Sequence, residues 1–344
     1  MSHSDDTHSG DNGHVTETVR ERYGRFAREE APGRSELYQL WAQGVADDAG
    51  VAEILARIPE THRQPPLVFA VTRMLGAPLS AFEMWREFLL VHADEVVAEC
   101  AVRRVQTNEP LRLAPLLPLL SEIDGPIALL EVGVSGGLCL YPDRYSYRFV
   151  DAQGTVRAAL DPLGGPSTVV LTSEVRGELP ALRMPQISWR AGIDLQPLDA
   201  ADPRDRAWLE GLVWPGEKGR AERITAALDI VAADPPILVR GDAGARIAAV
   251  AAIAPPEATL VITTPGVLVH IPRAERLALI SQIQELPARW ITIDAPGLHD
   301  AWQSPMDASA WPGSAVALDG QVRLAADPLG RWWEWRADDA ADHT

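Results

Sequence analysis

The sequence predicts an α/β protein with a mainly parallel sheet, a C-terminal antiparallel hairpin and a helical N-terminal region. Three observations predict it. Apolar residues recur at helical spacing from about residue 15 to 122. After Gly125 short apolar runs alternate with helical stretches, as in a parallel sheet with crossover helices. The run 127–132 passes through Glu131 straight into the turn Gly133-Val134-Ser135-Gly136-Gly137, where an uninterrupted apolar strand opens on a glycine-rich loop suited to close approach of a ligand. The expected organisation is a disordered tail over 1–14, helices over 15–124, and an α/β domain over 125–344 with an insertion at about 145–175.

The elements follow in order. The leading segment MSHSDDTHSGDNGH has almost nothing apolar to bury and is expected to stay disordered, so His3, His8 and His14 are read as solvated rather than metal-binding. Leu37, Leu40 and Trp41 form one helical stripe. Phe69, Met74 and Leu75 form another, opened near Pro66 and closed by Gly76. Ser80-Ala81-Phe82-Glu83 has the form of a capping box ahead of Phe82, Trp85, Phe88 and Leu89. Strands are expected at 127–132, 186–193 ending at Asp194, 236–239 ending at Asp242, 259–264, and 289–293 ending at Asp294. Helices are expected around 206–233, 243–253 and 273–285. Two short runs about Asp319-Gly320, 315–318 and 322–324, read as an antiparallel hairpin at the sheet edge.

Composition narrows the function. At 344 residues the chain can hold a sizeable core, and its apolar (47%) and charged (23%) fractions are those of an ordinary globular protein. A formal charge of −17 without a basic stripe disfavours nucleic acid as a partner, and the partner expected is a small-molecule substrate. Cys100 and Cys139 belong to no metal-binding pattern, and no metal is expected. With no apolar run long enough to span a bilayer and no signal core, a cytoplasmic protein without a membrane partner is expected.

Carboxylates at successive strand tips carry the chemistry. In order, Glu131 with Gly133 and Gly137, then Asp194, then Asp242, with an antiparallel hairpin closing the sheet, resemble the class I S-adenosylmethionine-dependent methyltransferases. The resemblance implies a Rossmann-like sheet and S-adenosylmethionine as cofactor. Glu131, Gly133, Ser135 and Gly137 would lie beside its amino-acid end, Asp194 would hold the ribose and Asp242 the adenine. Asp151, closer in sequence to the loop, is the alternative ribose acid. The polar run Arg103–Glu109 could roof the site through Arg104, Gln106, Asn108 and Glu109, or simply cap a helix begun by Pro110. Tyr145 is a further candidate for substrate binding, His270 for a general base, and Trp214, Trp302 and Trp311 for a pocket wall, whereas Trp332, Trp333 and Trp335 read as sheet-edge packing.

Two other readings stand beside this one. Gly133-Val134-Ser135-Gly136-Gly137 also has the G-x-S-x-G form of a hydrolase nucleophile elbow, with Asp242 and His270, or Asp294 and His299, completing the order. A catalytically inactive binding protein on the same fold is the third. From about Ser35 onward the chain also resembles a bacterial family known as a domain of unknown function, through RRVQTNE (103–109), LLEVGVSGGL (129–138), DRYSY (143–147), GIDLQPLD (192–199), LVWP (212–215), LVRGDA (238–243) and GRWWEW (330–335).

Overall fold

The computed structural model describes residues 7–299, 302 and 306–336. In chain order, helices α1 (Thr7–Arg25), α2 (Glu36–Asp47), α3 (Ala49–Ala56), α4 (Pro65–Met74), α5 (Phe82–Val91), α6 (Ala93–Val102) and α7 (Leu113–Ser121) precede the strand β1 (Pro126–Val132). Strands β2 (Ser146–Val150), β3 (Val156–Leu160), β4 (Val170–Arg176) and β5 (Gln186–Asp194) follow. Next come α8 (Pro203–Gly211), α9 (Arg220–Ala233), β6 (Ile237–Arg240), α10 (Ala243–Ala251), β7 (Thr259–Pro265), α11 (Arg273–Glu285) and β8 (Arg289–Asp294). Strands β9 (Ser314–Leu318), β10 (Gln321–Ala326) and β11 (Trp332–Trp335) end the order. The chain divides into two compact units, Met1–Thr107 with Pro203–Glu222, and Asn108–Asp202 with Arg223–Thr344.

The first unit is helical and is organised around aromatic rings. Trp41 stacks on Trp85 at 5.5 Å, and Phe69 stands edge-on to both. Their polar tips are satisfied, as buried indoles require: Trp41 Nε1 donates to Ser80 O (2.8 Å) and Trp85 Nε1 to Thr72 Oγ1 (2.9 Å). Residues 203–222 join this unit because Arg73 donates to Gly211 O (2.9 Å) and Val213 O, and because Trp214 packs on Phe26 (5.3 Å) and Tyr38 (5.6 Å). The expected pocket wall at Trp214 is therefore core of the helical unit, with Arg34 lying 3.7 Å over its ring. The capping box does not form. Helix α5 starts from Ala81, Ser80 Oγ is buried without a partner among the described residues, and the Ser80 carbonyl accepts from Trp41. Helix α1 begins at Thr7, inside the polar segment whose composition suggests disorder.

The second unit carries one eleven-stranded sheet among the described residues, in the order β3-β2-β4-β11-β10-β9-β8-β7-β1-β5-β6. Its β6-β5-β1-β7-β8 portion is wholly parallel. Strands β1 and β7 are buried almost throughout, the pattern of strands covered on both faces. Alternation puts Ala128, Leu130 and Val132 on one face, against Ile262, Leu260 and helices α10 and α11; Leu129 and Glu131 point to the other. The hairpin β9–β10 turns at Asp319 and Gly320, both with positive φ (54° and 81°), as its Asp-Gly sequence requires. It lies inside the sheet and not at its edge. β9 pairs with β8 and β10 with β11, the tryptophan-bearing strand, which in turn pairs with β4. The segment read as an irregular insertion thus supplies β2, β3 and β4 to the same sheet, and Trp333, fully buried, packs edge-on against Phe149 (5.4 Å) inside it.

Candidate functional site

The site is built where the parallel strands end. The chain leaves β1 for β5 and β6 on one side and returns to β7 and β8 on the other, so the ends of β1 and β7 flank a switch point, where open α/β sheets leave a crevice. The turn after β1 holds three residues in the left-handed region, Gly133 (φ 77°), Ser135 (φ 49°) and Gly137 (φ 79°). Ser135 is strained there and is pinned from two sides. Its N–H donates to Asp194 Oδ2 at 2.9 Å, and its Oγ accepts from Asn108 Nδ2 at 2.7 Å. Asn108 Oδ1 also accepts from Gly136 N (3.1 Å), and Asp194 Oδ1 from Gln196 N (2.8 Å). Asn108→Ala removes two buried bonds to the turn and is expected to lower unfolding stability by about 1–3 kcal/mol, measured by urea denaturation.

Glu131 is the outlier of the site. It is 4% exposed, its Oε2 has no hydrogen-bond partner among the described residues, and burial drives its carboxyl far above the usual range. The Arg112 charge opposes that rise and the Asp194 charge adds to it. Arg112 ends the 3-10 turn Pro110–Arg112, which Glu109 caps by accepting from Leu111 N at 3.0 Å. Glu109 is further tied to Arg223, whose Nε donates at 2.9 Å. The capping expected of Asn108 or Glu109 at Pro110 is made by Glu109, while Asn108 reaches the loop. Arg104 and Gln106, of the same polar run, belong to the helical unit, exposed and half-buried respectively.

Other expected residues are placed as follows. Asp194 is half-buried beside the loop, and Asp151 lies in the β2–β3 turn, holding Gln153 N (2.9 Å) and Thr155 N (2.8 Å). The strand directions put that turn at the opposite end of the sheet from Glu131, which settles the choice between the two acids as neighbours of the loop. Asp242 is exposed and caps α10, accepting from Ala245 N at 3.0 Å. His270 is exposed at the end of the 3-10 turn Leu268–His270. Tyr145 is fully buried and donates to Leu138 O (2.8 Å), fastening the chain beyond the loop instead of facing a ligand space. The space expected at Gly133 is filled by Val267, whose Cγ2 would lie 2.5 Å from an added Cβ. After Gly137 comes only the 3-10 turn Leu138–Leu140, not an α-helix, before β2.

Asp294 and His299 do pair, at 2.9 Å between Asp294 Oδ2 and His299 Nε2, with Thr292 Oγ1 also donating to Asp294. Alternation places Asp294 with Trp290 and Thr292 on the α10–α11 face, opposite to the face of Glu131. Trp302 and Trp311 are half-buried and pack against Ala315, Ala317 and Val322 of the hairpin. Among the described residues no group of three His, Cys, Asp or Glu could hold a metal ion, and no helix is long and apolar enough to cross a membrane.

Sequence reasoning missed Arg112. Its partners, Pro265 and Pro328, are remote in the chain, and an arginine between two leucines carries no signal of its own. Comparison with known proteins adds a family. A family model described as "Uncharacterized protein conserved in bacteria (DUF2332)" matches residues 76–335. None of the curated proteins matches the chain.

Proposed function

The protein belongs to this uncharacterized bacterial family, whose model spans most of its length, and we propose that it is an S-adenosylmethionine-dependent methyltransferase acting on a small molecule, on a class I, Rossmann-like sheet. The observation that carries the reading is Glu131, a buried acid with an unpartnered oxygen at the switch point of a parallel sheet. A carboxylate there attracts a sulfonium or ammonium and repels phosphate, which favours an adenosyl ligand over a dinucleotide. The parallel order β6-β5-β1-β7-β8, with helices between successive strands from β5 onward, supports the same reading.

The residues fit the ligand at two strand tips. Each oxygen of Asp194 accepts one loop or flanking amide, which leaves acceptor capacity on a half-buried carboxylate for a ribose diol. Asp242, exposed after β6, is open to an adenine amine. When bound, S-adenosylmethionine supplies an activated methyl group. The chain's own task is positioning: Glu131 orients the cationic end, Asp194 the ribose, and His270 stands at the same end of the sheet as a proton acceptor for the nucleophile. The loop, with Val267 filling the space at Gly133, gives that arrangement a rigid floor.

Calorimetric titration tests this. S-adenosylmethionine and S-adenosylhomocysteine are expected to bind with Kd of about 1–100 μM, and adenosine more weakly. Absence of binding by both thioether and sulfonium ligands would reject the reading.

A further inference from the structure

The loop that would receive an amino-acid tail has no amide left to offer it. Gly133 and Val134 N–H both donate to Ile193 O (2.8 and 3.3 Å), and Ser135 and Gly136 N–H are held by Asp194 and Asn108. Gly137 N–H donates to Val134 O at 2.8 Å. A ligand carboxylate therefore finds no backbone donor in the turn, in contrast to the glycine loops that bind anions through such groups.

Arg112 supplies the missing charge. Its Nε donates to Pro328 O (3.1 Å) and its Nη1 to Pro265 O (3.2 Å), so the guanidinium is fixed at the end of β7 without a carboxylate partner among the described residues. Nη2 packs against Gly266 (φ 70°), where an added Cβ would lie 3.3 Å away, and makes no hydrogen bond among the described residues. Glu131 pairs with Thr263 of β7, two residues before Pro265, so the arginine held at that strand end is the positive charge that acts on Glu131. A fixed planar donor set beside a buried acid with a spare oxygen presents two opposite charges to one ligand end once the acid releases its proton to a bound cation.

We propose that Arg112 and Glu131 form a two-charge clamp for a zwitterionic amino-acid group, Arg112 taking its carboxylate and Glu131 its ammonium. The clamp makes the site select ligands that carry an amino-acid tail over bare thioether nucleosides. It rests on the adenosyl reading above and extends it by naming Arg112 as a specificity-determining residue.

Binding of S-adenosylhomocysteine is compared with that of 5′-methylthioadenosine, which keeps the nucleoside and sulfur but lacks the tail. The wild-type protein is expected to prefer S-adenosylhomocysteine by about 10- to 100-fold, the range of a charge-assisted pair. In Arg112→Gln the preference collapses to about 3-fold or less, with 5′-methylthioadenosine binding unchanged. Arg112→Lys, which keeps the charge and loses the fork, should fall between the two. Unchanged 5′-methylthioadenosine affinity also shows that each variant is folded. A variant that loses its fold leaves the wild-type comparison as the deciding measurement. Equal affinity of the wild type for both ligands, or a preference that survives in Arg112→Gln, overturns the clamp while leaving the adenosyl site standing. Failure of both ligands to bind the wild type removes the adenosyl reading and the clamp with it.

Discussion

Gly330→Ala is expected to lower the unfolding free energy by about 3–5 kcal/mol, among the largest effects of a single methyl group in this chain. Gly330 lies in the turn two residues before the tryptophan-rich strand β11 with φ 83°, where a side chain is already strained. A Cβ there would lie 2.0 Å from Leu111 O and 3.0 Å from Arg112 N, and the backbone of that one peptide cannot yield as a flexible side chain could. The surroundings add to the constraint. Gly330 O accepts from Ser173 Oγ at 2.7 Å and Gly330 N–H donates to Asp327 O at 2.9 Å, so the residue cannot swing away without breaking buried bonds. The contact also seats the 3-10 turn that bears Arg112. Urea denaturation measures the stability loss, and a change below about 1 kcal/mol would show that the turn adapts. Whatever fraction remains folded should show a weakened preference for the amino-acid tail, because Arg112 shifts with its turn.

The parallel strands were legible because they are buried on both faces and so read as unbroken apolar runs, as in β1, β7 and β8. Helix α11 matches its expected bounds because its ends are marked by Pro272 and by the following Leu286-Pro287. The acid at the tip of β5 was equally visible. What stayed hidden depends on partners distant in sequence. Strand β11 has no alternating pattern to announce it, and its place in the middle of the sheet follows from pairing with β4 and β10. Residues 203–222 read as part of a crossover, yet Arg73 and the aromatic cluster draw them into the helical unit. Glycines at Gly133 and Gly330 look alike in the sequence. One makes room for the side chain of Val267 and the other for the backbone at Leu111, so neither is the open cradle that a glycine-rich motif suggests.

Glu131→Gln separates stability from binding. In the free protein the carboxyl is raised by burial, so ionising it opposes folding; the folded state holds a proton that the unfolded chain gives up at lower pH. The sign follows. The wild-type stability contribution is full below the unfolded carboxyl pKa, declines as pH rises above it, and is lost once pH passes the raised folded value. Glutamine carries no such penalty. The variant should match the wild type near pH 4 and exceed it by about 1–3 kcal/mol at pH 8, read from thermal melts across that range. Binding should move the other way. A cationic ligand end favours the ionised acid, so wild-type affinity for S-adenosylmethionine should rise with pH and complex formation should release a proton, seen as a dependence of calorimetric heat on buffer ionisation. Glu131→Gln should bind at least about 10-fold more weakly and show no such proton release. A variant that is less stable at pH 8 would mean that Glu131 is ionised and paired in the free protein. A more stable variant that kept full affinity and the same proton release would place the ligand's positive charge elsewhere and detach Glu131 from the site.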